Sequence, residues 1–413
     1  MTPATTERSD ADRLRNDVVD ELTSKGWLTT PEVEEVMRRV PRHAFTPGAS
    51  LEEAYNAYGA VVTKKDEHGV SISSVSAPQI QGMMLEQAAV KPGMNVLEIG
   101  SGGLNAAYLA ELVGESGTVT TVDIDPEVTE RATRLLVENG YPQVNVVLAD
   151  AAEDFPGRGP YDRIIVTAGA WDILPGWREE LTDGGRLVVP LRMRGLTRTI
   201  DFKRVGDHLE SSSARVCGFV PMQGAAAHQE ELLLVAGTDE IGLRFDDGLP
   251  ADPSQLDNAV LTVREEMWTS VTVGLQEHVD TLQMYLATVL DGFCVMAVDP
   301  DLDTGLVAPS NRYFSLATVE GDSFAYLTTR RTEDDEHVEY GVHAFGPTRQ
   351  KLAQTVTEHV RTWAKEHRGG PGPKISVFPA GTPDDQLPGE RVIDKVHSRV
   401  TLSWHSVETT VES

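Results

Sequence analysis

Residues 96–103 of this 413-residue chain read Val-Leu-Glu-Ile-Gly-Ser-Gly-Gly, an apolar run that ends in a glycine-rich turn. The stretch that follows, Asn105 to Leu112, has the composition of a helix. A buried strand that passes through such a turn into a helix presents backbone N–H groups at the helix start to a ligand. Glycine there removes the side chains that would block the ligand's approach. The pattern predicts an α/β domain that binds a nucleotide-like cofactor at this turn.

Two further strands narrow the choice of cofactor. Residues 119–123 end in Asp123, and residues 161–168 form a third apolar run. A carboxylate at the end of the second strand can accept hydrogen bonds from both hydroxyls of an adenosine ribose, which NAD and S-adenosylmethionine share. The dinucleotide fingerprint G-x-G-x-x-G requires a last glycine where this chain has Asn105. The missing glycine argues against a nicotinamide oxidoreductase, but these residues alone leave both cofactors open.

The motifs around this core, taken in order, resemble the protein-L-isoaspartate O-methyltransferases. The resemblance covers about residues 15–224. It rests on seven segments in the family's order, namely Val36–Phe45, Ala54–Tyr55, Ser74–Gln79, Lys91–Gly93, Pro160–Ala168, Leu181–Pro190 and Phe219–Gly224. Each segment is weakly specific by itself, whereas the whole series in order is strongly specific.

The resemblance implies a Rossmann-like class I methyltransferase domain of the α/β class, with S-adenosyl-L-methionine as cofactor and S-adenosyl-L-homocysteine as its product. The acceptor would be a side-chain carboxylate in a peptide, and the product a methyl ester. On the acceptor side the resemblance implies Ser76 as the catalytic residue, within the substrate-binding series Ser74, Val75, Ser76, Ala77, Pro78 and Gln79. On the cofactor side it implies Glu98, Ile99, Gly100, Ser101, Gly102, Asp123, Ile124, Asp150, Ala151 and Thr167. A serine before Ala-Pro more commonly serves as a helix N-cap or turn residue, which is the alternative role for Ser76.

The proposed reaction needs no general base. An aspartate-type carboxyl group has a reference pKa near 3.9 and is ionised at neutral pH. The protein then has to align the carboxylate with the methyl group, and positioning of this kind contributes roughly 7–11 kcal/mol. Ser76 and nearby backbone N–H groups suit that task.

Several residues depart from the family pattern. The glycine turn continues as Gly103-Leu104-Asn105, a polar insert occupies residues 64–69, and Gln79 and Gln81 stand where histidines are common. All of these changes fall on the acceptor side or at the methionine end of the cofactor. They favour a substrate other than a generic isoaspartyl residue.

The length of the chain predicts more than one domain. We expect a polar N-terminal tail over residues 1–14, the catalytic domain over 15–236, an acidic Pro/Gly-rich linker over 237–255 and a smaller α+β domain over 256–405. Within the last domain we expect a hairpin that turns at Gly321-Asp322, and two final strands near 375–378 and 392–404. A helix is indicated by the apolar spacing of Leu352, Val356, Val360 and Trp363. No catalytic motif occurs there, so the domain is predicted to serve peptide recognition or dimerisation.

A chain of this organisation also resembles a subset of these enzymes that modify ribosomally made, ring-bearing peptides, such as lanthipeptides and graspetides of the FxLD type. In that case the methylated aspartate is attacked by the neighbouring backbone amide, giving a succinimide (aspartimide) that persists or hydrolyses to isoaspartate. This hypothesis is preferred over general isoaspartate repair, the first alternative, because the extra domain and the acceptor-side changes need a reason. A cofactor-binding module without turnover is the second alternative.

Composition limits the partners. Lys+Arg number 36 and Asp+Glu 64, a net charge of −28, which disfavours nucleic acid as a partner. Arg192, Arg194 and Arg198 have the spacing of a solvated loop. The polar N-terminus has no apolar signal region and no run approaches a membrane span, so we expect a cytoplasmic protein away from membranes. A homodimer is left open.

Cysteine and histidine usage predicts no metal site. Cys217 and Cys294 lie far apart in apolar runs and are expected to be buried and unpaired. His337 and His343 flank a predicted strand and are interpreted as surface residues, since the histidines lack metal-ligand spacing.

Overall fold

The computed structural model describes residues 3–152, 159–235, 239–250, 252–302 and 304–404. The helices are α1 (Pro3–Ser24), α2 (Pro31–Arg39), α3 (Leu51–Ala54), α4 (Pro78–Ala88), α5 (Leu104–Val113), α6 (Pro126–Glu138), α7 (Pro175–Glu179), α8 (Asp280–Val289) and α9 (Arg349–Glu366). The first strands are β1 (Val61–Lys65), β2 (Ser71–Val75), β3 (Asn95–Ile99), β4 (Thr118–Asp123), β5 (Asn145–Leu148), β6 (Tyr161–Val166), β7 (Leu181–Met193), β8 (Leu196–Val205), β9 (His208–Val216) and β10 (Glu231–Leu234). The remaining strands are β11 (Ile241–Phe245), β12 (Glu265–Gly274), β13 (Phe293–Val298), β14 (Ser315–Glu320), β15 (Ser323–Arg331), β16 (His337–Phe345), β17 (Lys374–Pro379), β18 (Arg391–Asp394) and β19 (Ser398–Ser403).

A parallel sheet forms the centre of the first half. Strands β5, β4, β3, β6 and β7 are neighbours in that order and all pair in parallel. Strands of such a sheet are covered on both faces by helices, which explains why β3 is buried from Val96 to Ile99. The chain runs from β3 outward to β5 and then crosses to β6 on the other side of β3. Ligands in open α/β sheets bind at this kind of crossing, outside the carboxyl ends of the strands.

The same sheet continues with antiparallel strands from both halves of the chain. Strand β7 pairs with β8, and β8 pairs with β9. Beyond β9 the order is β17, β19 and β18, so the C-terminal strands complete a ten-stranded sheet. The second half also forms a seven-stranded antiparallel sheet in the order β10-β11-β13-β14-β15-β16-β12.

Two local predictions for the second half are confirmed. Strands β14 and β15 form a hairpin in which Glu320 pairs with Ser323 across Gly321-Asp322. The predicted apolar residues Leu352, Val356, Val360 and Trp363 are all buried on α9. The last predicted strand, residues 392–404, is instead the hairpin β18–β19, because the chain turns at residues 395–397.

The strand pairing differs from the linear division into domains. Residues 3–14 of the predicted tail lie in α1, and the predicted linker contains β11, an inner strand of the seven-stranded sheet. The last three strands belong to the sheet of the first half. One core also crosses the division, since Leu97 of β3, Phe202 of β8, Val342 of β16 and Trp363 of α9 belong to one buried apolar cluster. The second half therefore packs as an extension of the first.

The solvated-loop interpretation of the three arginines is wrong. They lie on β7, β8 and the turn between them, where Arg194 and Arg198 are buried. Arg192 pairs with Asp246 at 2.8 Å and Arg194 with Asp247 at 2.8 Å. Acidic partners about fifty residues further along the chain thus balance the charges of Arg192 and Arg194, whereas Arg198 donates to Gln283 Oε1 at 2.6 Å.

Two further predictions need correction. His343 is buried in β16, where its Nδ1 lies 3.0 Å from the hydroxyl of Tyr326, so it is not a surface residue. Cys294 is buried as expected, whereas Cys217 is partly exposed; neither forms a disulfide. Within the described ranges, every helix is too short or too polar to cross a lipid bilayer.

Candidate functional site

The glycine turn after β3 is held between β4 and β6. Gly100 N donates to Val122 O at 2.8 Å, and Thr167 N donates to Ile99 O at 2.8 Å. Gly100 has a φ of +99°, and a Cβ there would lie 2.4 Å from Thr167 Oγ1. Only glycine accommodates both the backbone conformation and the neighbour. The turn then enters α5 through Gly103, so backbone N–H groups face the space outside the sheet.

Asp123 ends β4 beside this turn. Its Oδ2 accepts a hydrogen bond from Ser101 N at 2.9 Å, and its Oδ1 accepts one from Asp125 N at 2.9 Å. Burial raises the pKa of Asp123, and the two backbone donors oppose the rise. The carboxylate is therefore fixed in orientation, with lone pairs left to accept from a ligand.

A cavity of about 100 Å³, called cavity 1, lies between the turn and Asp123. It contains nine of the ten cofactor residues implied by sequence, namely Ile99, Gly100, Ser101, Gly102, Asp123, Ile124, Asp150, Ala151 and Thr167, and it also touches Ser74. The carboxylates of Asp123, Asp125 and Asp150 give cavity 1 a negative lining. Such a lining suits a ligand that carries hydroxyl donors and positive charge.

One wall of cavity 1 comes from residues to which the sequence gave no role. Val220, Pro221, Met222 and Gln223 line it. Backbone hydrogen bonds hold this segment, because Gly169 N donates to Val220 O at 2.8 Å and Met222 N donates to Gly169 O at 3.0 Å. Just beyond it, Ala225 N donates to Asp150 Oδ2 at 3.0 Å. The motif Phe219–Gly224 is visible in the sequence, but its position over the cavity depends on these contacts with Gly169 and Asp150.

The hairpin β1–β2 forms a second wall through Ile72 and Ser73. Its strand β1 carries Lys64, which pairs with Asp125 at 2.6 Å and Glu127 at 2.9 Å at the start of α6. The polar insert, residues 64–69, thus forms the end of a hairpin that Lys64 joins by ion pairs to the start of α6. No local signal predicts that position.

A second, smaller cavity of about 30 Å³, called cavity 2, adjoins cavity 1 and shares Ser74, Gly102 and Thr167 with it. Its other lining residues are Val75, Ser76, Gln81, Met84, Glu98, Leu104 and Asn105. The implied residues Ala77, Pro78 and Gln79 are not among the lining residues of either cavity in the described chain. They begin α4, with Ala77 as the N-cap residue and Pro78 in the first turn.

Ser76 does not serve as the helix cap. It lies one residue before the N-cap residue of α4, and that cap makes no side-chain hydrogen bond. Within the described residues its hydroxyl has no hydrogen-bond partner, and it faces cavity 2. The hydroxyl is therefore free to donate to a ligand.

Glu98 is the most buried acid of the site, with 1% of its surface exposed. Its Oε2 accepts from Thr121 Oγ1 at 2.6 Å, while Oε1 has no partner in the described part of the chain. Burial raises the pKa of Glu98 to about 7, against the opposing effects of Thr121 and Asn105. A buried acid with an unpaired oxygen beside an open turn suits the cationic end of an amino-acid-like ligand. Asn105, the departure noted in the glycine turn, thus lies beside this acid.

Metal ligation has no support at this site. Among the described residues, no group of three or more His, Cys, Asp or Glu side chains is arranged to hold a metal ion.

Comparisons with known proteins agree with the geometry. Residues 13–227 match the family model described as protein-L-isoaspartate(D-aspartate) O-methyltransferase. A protein-L-isoaspartate O-methyltransferase from Hyperthermus butylicus is 35% identical over 240 residues, covering 56% of this chain and 97% of that protein. One from Methanopyrus kandleri is 34% identical over 221 residues, covering 53% and 95%.

A solved structure of a protein-L-isoaspartate O-methyltransferase aligns with 94% of this chain and 100% of its own, at a TM-score of 0.51 and 18% identity. At that identity the likeness shows the fold alone, and it confirms the predicted Rossmann-like class. The aligned part extends beyond residues 13–227 into the second half. The family model spans more than half of the chain, and the chain covers nearly the whole length of its relatives. This protein therefore belongs to the protein-L-isoaspartate(D-aspartate) O-methyltransferases, a family of S-adenosyl-L-methionine-dependent methyltransferases.

Proposed function

We propose that this protein methylates the free carboxylate of isoaspartyl residues in peptides and proteins, the first step of general isoaspartate repair. The observation that carries the proposal is the junction of cavities 1 and 2 at Ser74, Gly102 and Thr167. Cavity 1 is lined by acids and cavity 2 by the hydroxyl of Ser76. Two ligands of opposite charge can therefore meet at one point in the protein.

The lining of cavity 1 fits the family's cofactor. Asp123 would hold the ribose hydroxyls and Asp150 would lie beside the adenine. Glu98, which lines the adjoining cavity 2, would face the ammonium group of the methionine end. S-adenosyl-L-methionine supplies an electrophilic methyl group when bound. The chain's acids stabilise its positive charge, and the glycine turn lets the backbone approach it closely.

The lining of cavity 2 fits a carboxylate acceptor. An isoaspartyl carboxylate is ionised at neutral pH, so the site needs donors and alignment rather than a base. The lining residues in the described chain include no His, Lys or Cys, in agreement with this chemistry. Ser76 would donate to one carboxylate oxygen and leave the other directed at the methyl group. Its role is orientation, the main contribution available in such a transfer.

Mass spectrometry tests the proposal. The protein and cofactor are incubated with an isoaspartyl peptide and, as control, with the same peptide carrying ordinary aspartate. We expect a gain of about 14 Da on the isoaspartyl peptide alone, because recognition resides in the acceptor carboxylate. Cofactor binding without any methylated peptide would favour the alternative of a binding module without turnover.

A second candidate is a dedicated modification of a constrained, ribosomally made peptide such as a lanthipeptide or graspetide. The observation in its favour is that the second half contacts the segment that follows β6. His397 N donates to Asp172 Oδ2 at 2.6 Å, and Lys395 Nζ lies 3.6 Å from the ring centroid of Trp171. Trp171 and Asp172 follow Thr167 closely in the chain. The second half would then recognise the peptide or form a homodimer.

The two candidates differ in one experiment. A cyclised precursor peptide and a simple isoaspartyl peptide are offered together, and the products are compared by mass. Methylation of the precursor alone, followed by loss of methanol to the succinimide, would establish the dedicated function. Methylation of the simple peptide would establish repair. We expect either reaction in the cytoplasm, away from nucleic acid and membranes.

A further inference from the structure

A buried cation without a counter-ion lies behind Val75 and Gln81, two of the residues that line cavity 2. Arg42 is 2% exposed, and its guanidinium donates to Ala54 O, to Gln81 Oε1 at 2.6 Å and to Val75 O at 3.4 Å. All three acceptors are neutral. Within the described residues, no carboxylate forms an ion pair with Arg42. Buried charges are normally paired, so an unpaired one beside a cavity calls for an anion from elsewhere.

Arg42 also fixes the orientation of the Gln81 amide. A guanidinium carries only donors, so Gln81 must turn its Oε1 toward Arg42. Its Nε2 group is then left for cavity 2, which Gln81 lines. Gln81 is 6% exposed, and in the described chain Nε2 has no acceptor within hydrogen-bonding distance. Because Gln81 lines cavity 2, a ligand there can accept from this N–H group.

The donors around cavity 2 therefore form a set that selects negative charge. Ser76 presents a hydroxyl group and Gln81 an amide N–H group. Arg42 polarises this amide, because its positively charged guanidinium donates to the carbonyl oxygen Oε1. Glu98 is the acid of the cavity, and it lies on the wall formed by the glycine strand. A carboxylate can accept a hydrogen bond from both Ser76 and Gln81. A neutral carboxamide would place its NH₂ group, which is a donor, against one of these two donors.

We propose that Gln81, oriented by Arg42, is a specificity-determining residue that donates a hydrogen bond to the acceptor carboxylate, with Arg42 as the positioning residue and distant counter-charge. This inference rests on the proposed methyl transfer to a carboxylate. It predicts that the substrate class is defined by the anionic group, not by the residues that flank it in the peptide.

Gln81→Glu is the decisive substitution. It keeps the shape of the side chain, but it replaces the N–H donor that faces cavity 2 by a carboxylate oxygen, which only accepts. The new carboxylate would accept from Arg42 and neutralise it, so the fold is preserved and the melting temperature is unchanged or raised. It would also face the substrate with an acceptor instead of a donor. We expect KM for the isoaspartyl peptide to rise roughly 10- to 150-fold, the loss typical of one hydrogen bond to a charged group. We expect kcat and the Kd of the cofactor to change little, because the lost contact is made equally before and during transfer.

Two variants serve as comparison. Gln81→His can offer one ring nitrogen to Arg42 and an N–H to the cavity, so its KM should stay within about threefold of wild type. Gln87→Glu makes the same chemical change on the same helix, at a buried residue that donates to Thr199 O and Ser213 Oγ outside the cavity. It should lower the melting temperature and leave KM unchanged.

The outcomes separate the inference from the proposed function. An unchanged KM for Gln81→Glu, or an equal rise for Gln81→His, would overturn the role of Gln81. A less stable Gln81→Glu protein would overturn the assignment of Arg42 as an unneutralised cation. Peptide Kd is measured in parallel with S-adenosyl-L-homocysteine present. If wild type binds the peptide without methylating it, the proposed function fails. The peptide Kd of Gln81→Glu then still tests the role of Gln81. A rise in Kd of the size expected for KM supports that role, and an unchanged Kd refutes it.

Discussion

Replacing Glu98 by Gln should stabilise the protein and weaken its cofactor binding. The ordinary pKa of this carboxyl group is 4.5, and burial raises it to about 7 in the folded chain. A group whose pKa is raised on folding stabilises the fold in its protonated form, and that contribution is lost as the pH rises through the folded pKa. The difference of about 2.5 units corresponds to roughly 3 kcal/mol at about 1.36 kcal/mol per unit. Wild type should therefore lose about 3 kcal/mol relative to Glu98→Gln between about pH 4.5 and pH 7.

Urea unfolding of the cofactor-free protein at pH 5 and pH 8 measures most of this difference. Glutamine is neutral at both values, and every other titrating group is common to the two proteins, so subtraction isolates Glu98. The exposed Glu130 of α6 provides the control substitution Glu130→Gln, which should leave the free energy of unfolding unchanged at both pH values. Isothermal titration should meanwhile show weaker cofactor binding by Glu98→Gln, because an amide offers no charge to a cation. A stability difference that is the same at both pH values, or tighter cofactor binding, would refute the argument.

Three other substitutions test the site and the core. In Asp123→Asn the side chain can accept from only one of the backbone donors Ser101 N and Asp125 N, and it loses the negative charge that faces the ribose. We expect the cofactor Kd, measured by calorimetry, to rise about 10- to 150-fold. An unchanged Kd would contradict this role of Asp123. Gly100→Ala places a Cβ 2.4 Å from Thr167 Oγ1 at a φ of +99°, so the melting temperature should fall by the equivalent of about 1–3 kcal/mol; an equal melting temperature would show that the turn is not constrained as described. Trp363→Ala removes a fully buried indole whose Nε1 donates to Thr281 Oγ1 at 2.9 Å, at a cost of about 3–5 kcal/mol. Its denaturation, followed by circular dichroism and by cofactor binding, should remain one transition, whereas two separate transitions would mean that the halves do not share a core.

The sequence predicts well those parts of the site that depend on local structure. A strand, a glycine turn and an acid at the next strand end are encoded within about thirty residues, and parallel strands bring their carboxyl ends together. Gly100, Asp123 and Thr167 consequently surround one cavity, as the motif order implied. The wall formed by residues 220–223 has no such local code. Its position depends on contacts with distant segments, namely the backbone hydrogen bonds of Gly169 with Val220 and Met222 and the hydrogen bond from Ala225 N to Asp150 Oδ2.

The sequence predicts poorly which strands become neighbours. The sequence predicts two strands near residues 375–378 and 392–404, and the structure has β17 and the hairpin β18–β19 there, but alternation of apolar residues does not specify a partner strand. Their pairing with β9 became visible only in the structure. Arg192 and Arg194 show the same limit, because spacing alone does not reveal the carboxylates of Asp246 and Asp247 that pair with them.

The shared ten-stranded sheet has a consequence for synthesis of the chain on the ribosome. Strand β9 is complete once residue 216 has emerged, yet the strand that covers its edge begins only at residue 374. For the time needed to translate about 160 residues, some 8–30 s at 5–20 residues per second, β9 presents unpaired N–H and C=O groups. A nascent chain or a truncated fragment with this exposed edge can pair with another copy of itself. The strands of residues 374–403 therefore protect the edge of β9 from aggregation, a task that lies outside the chemistry of the site.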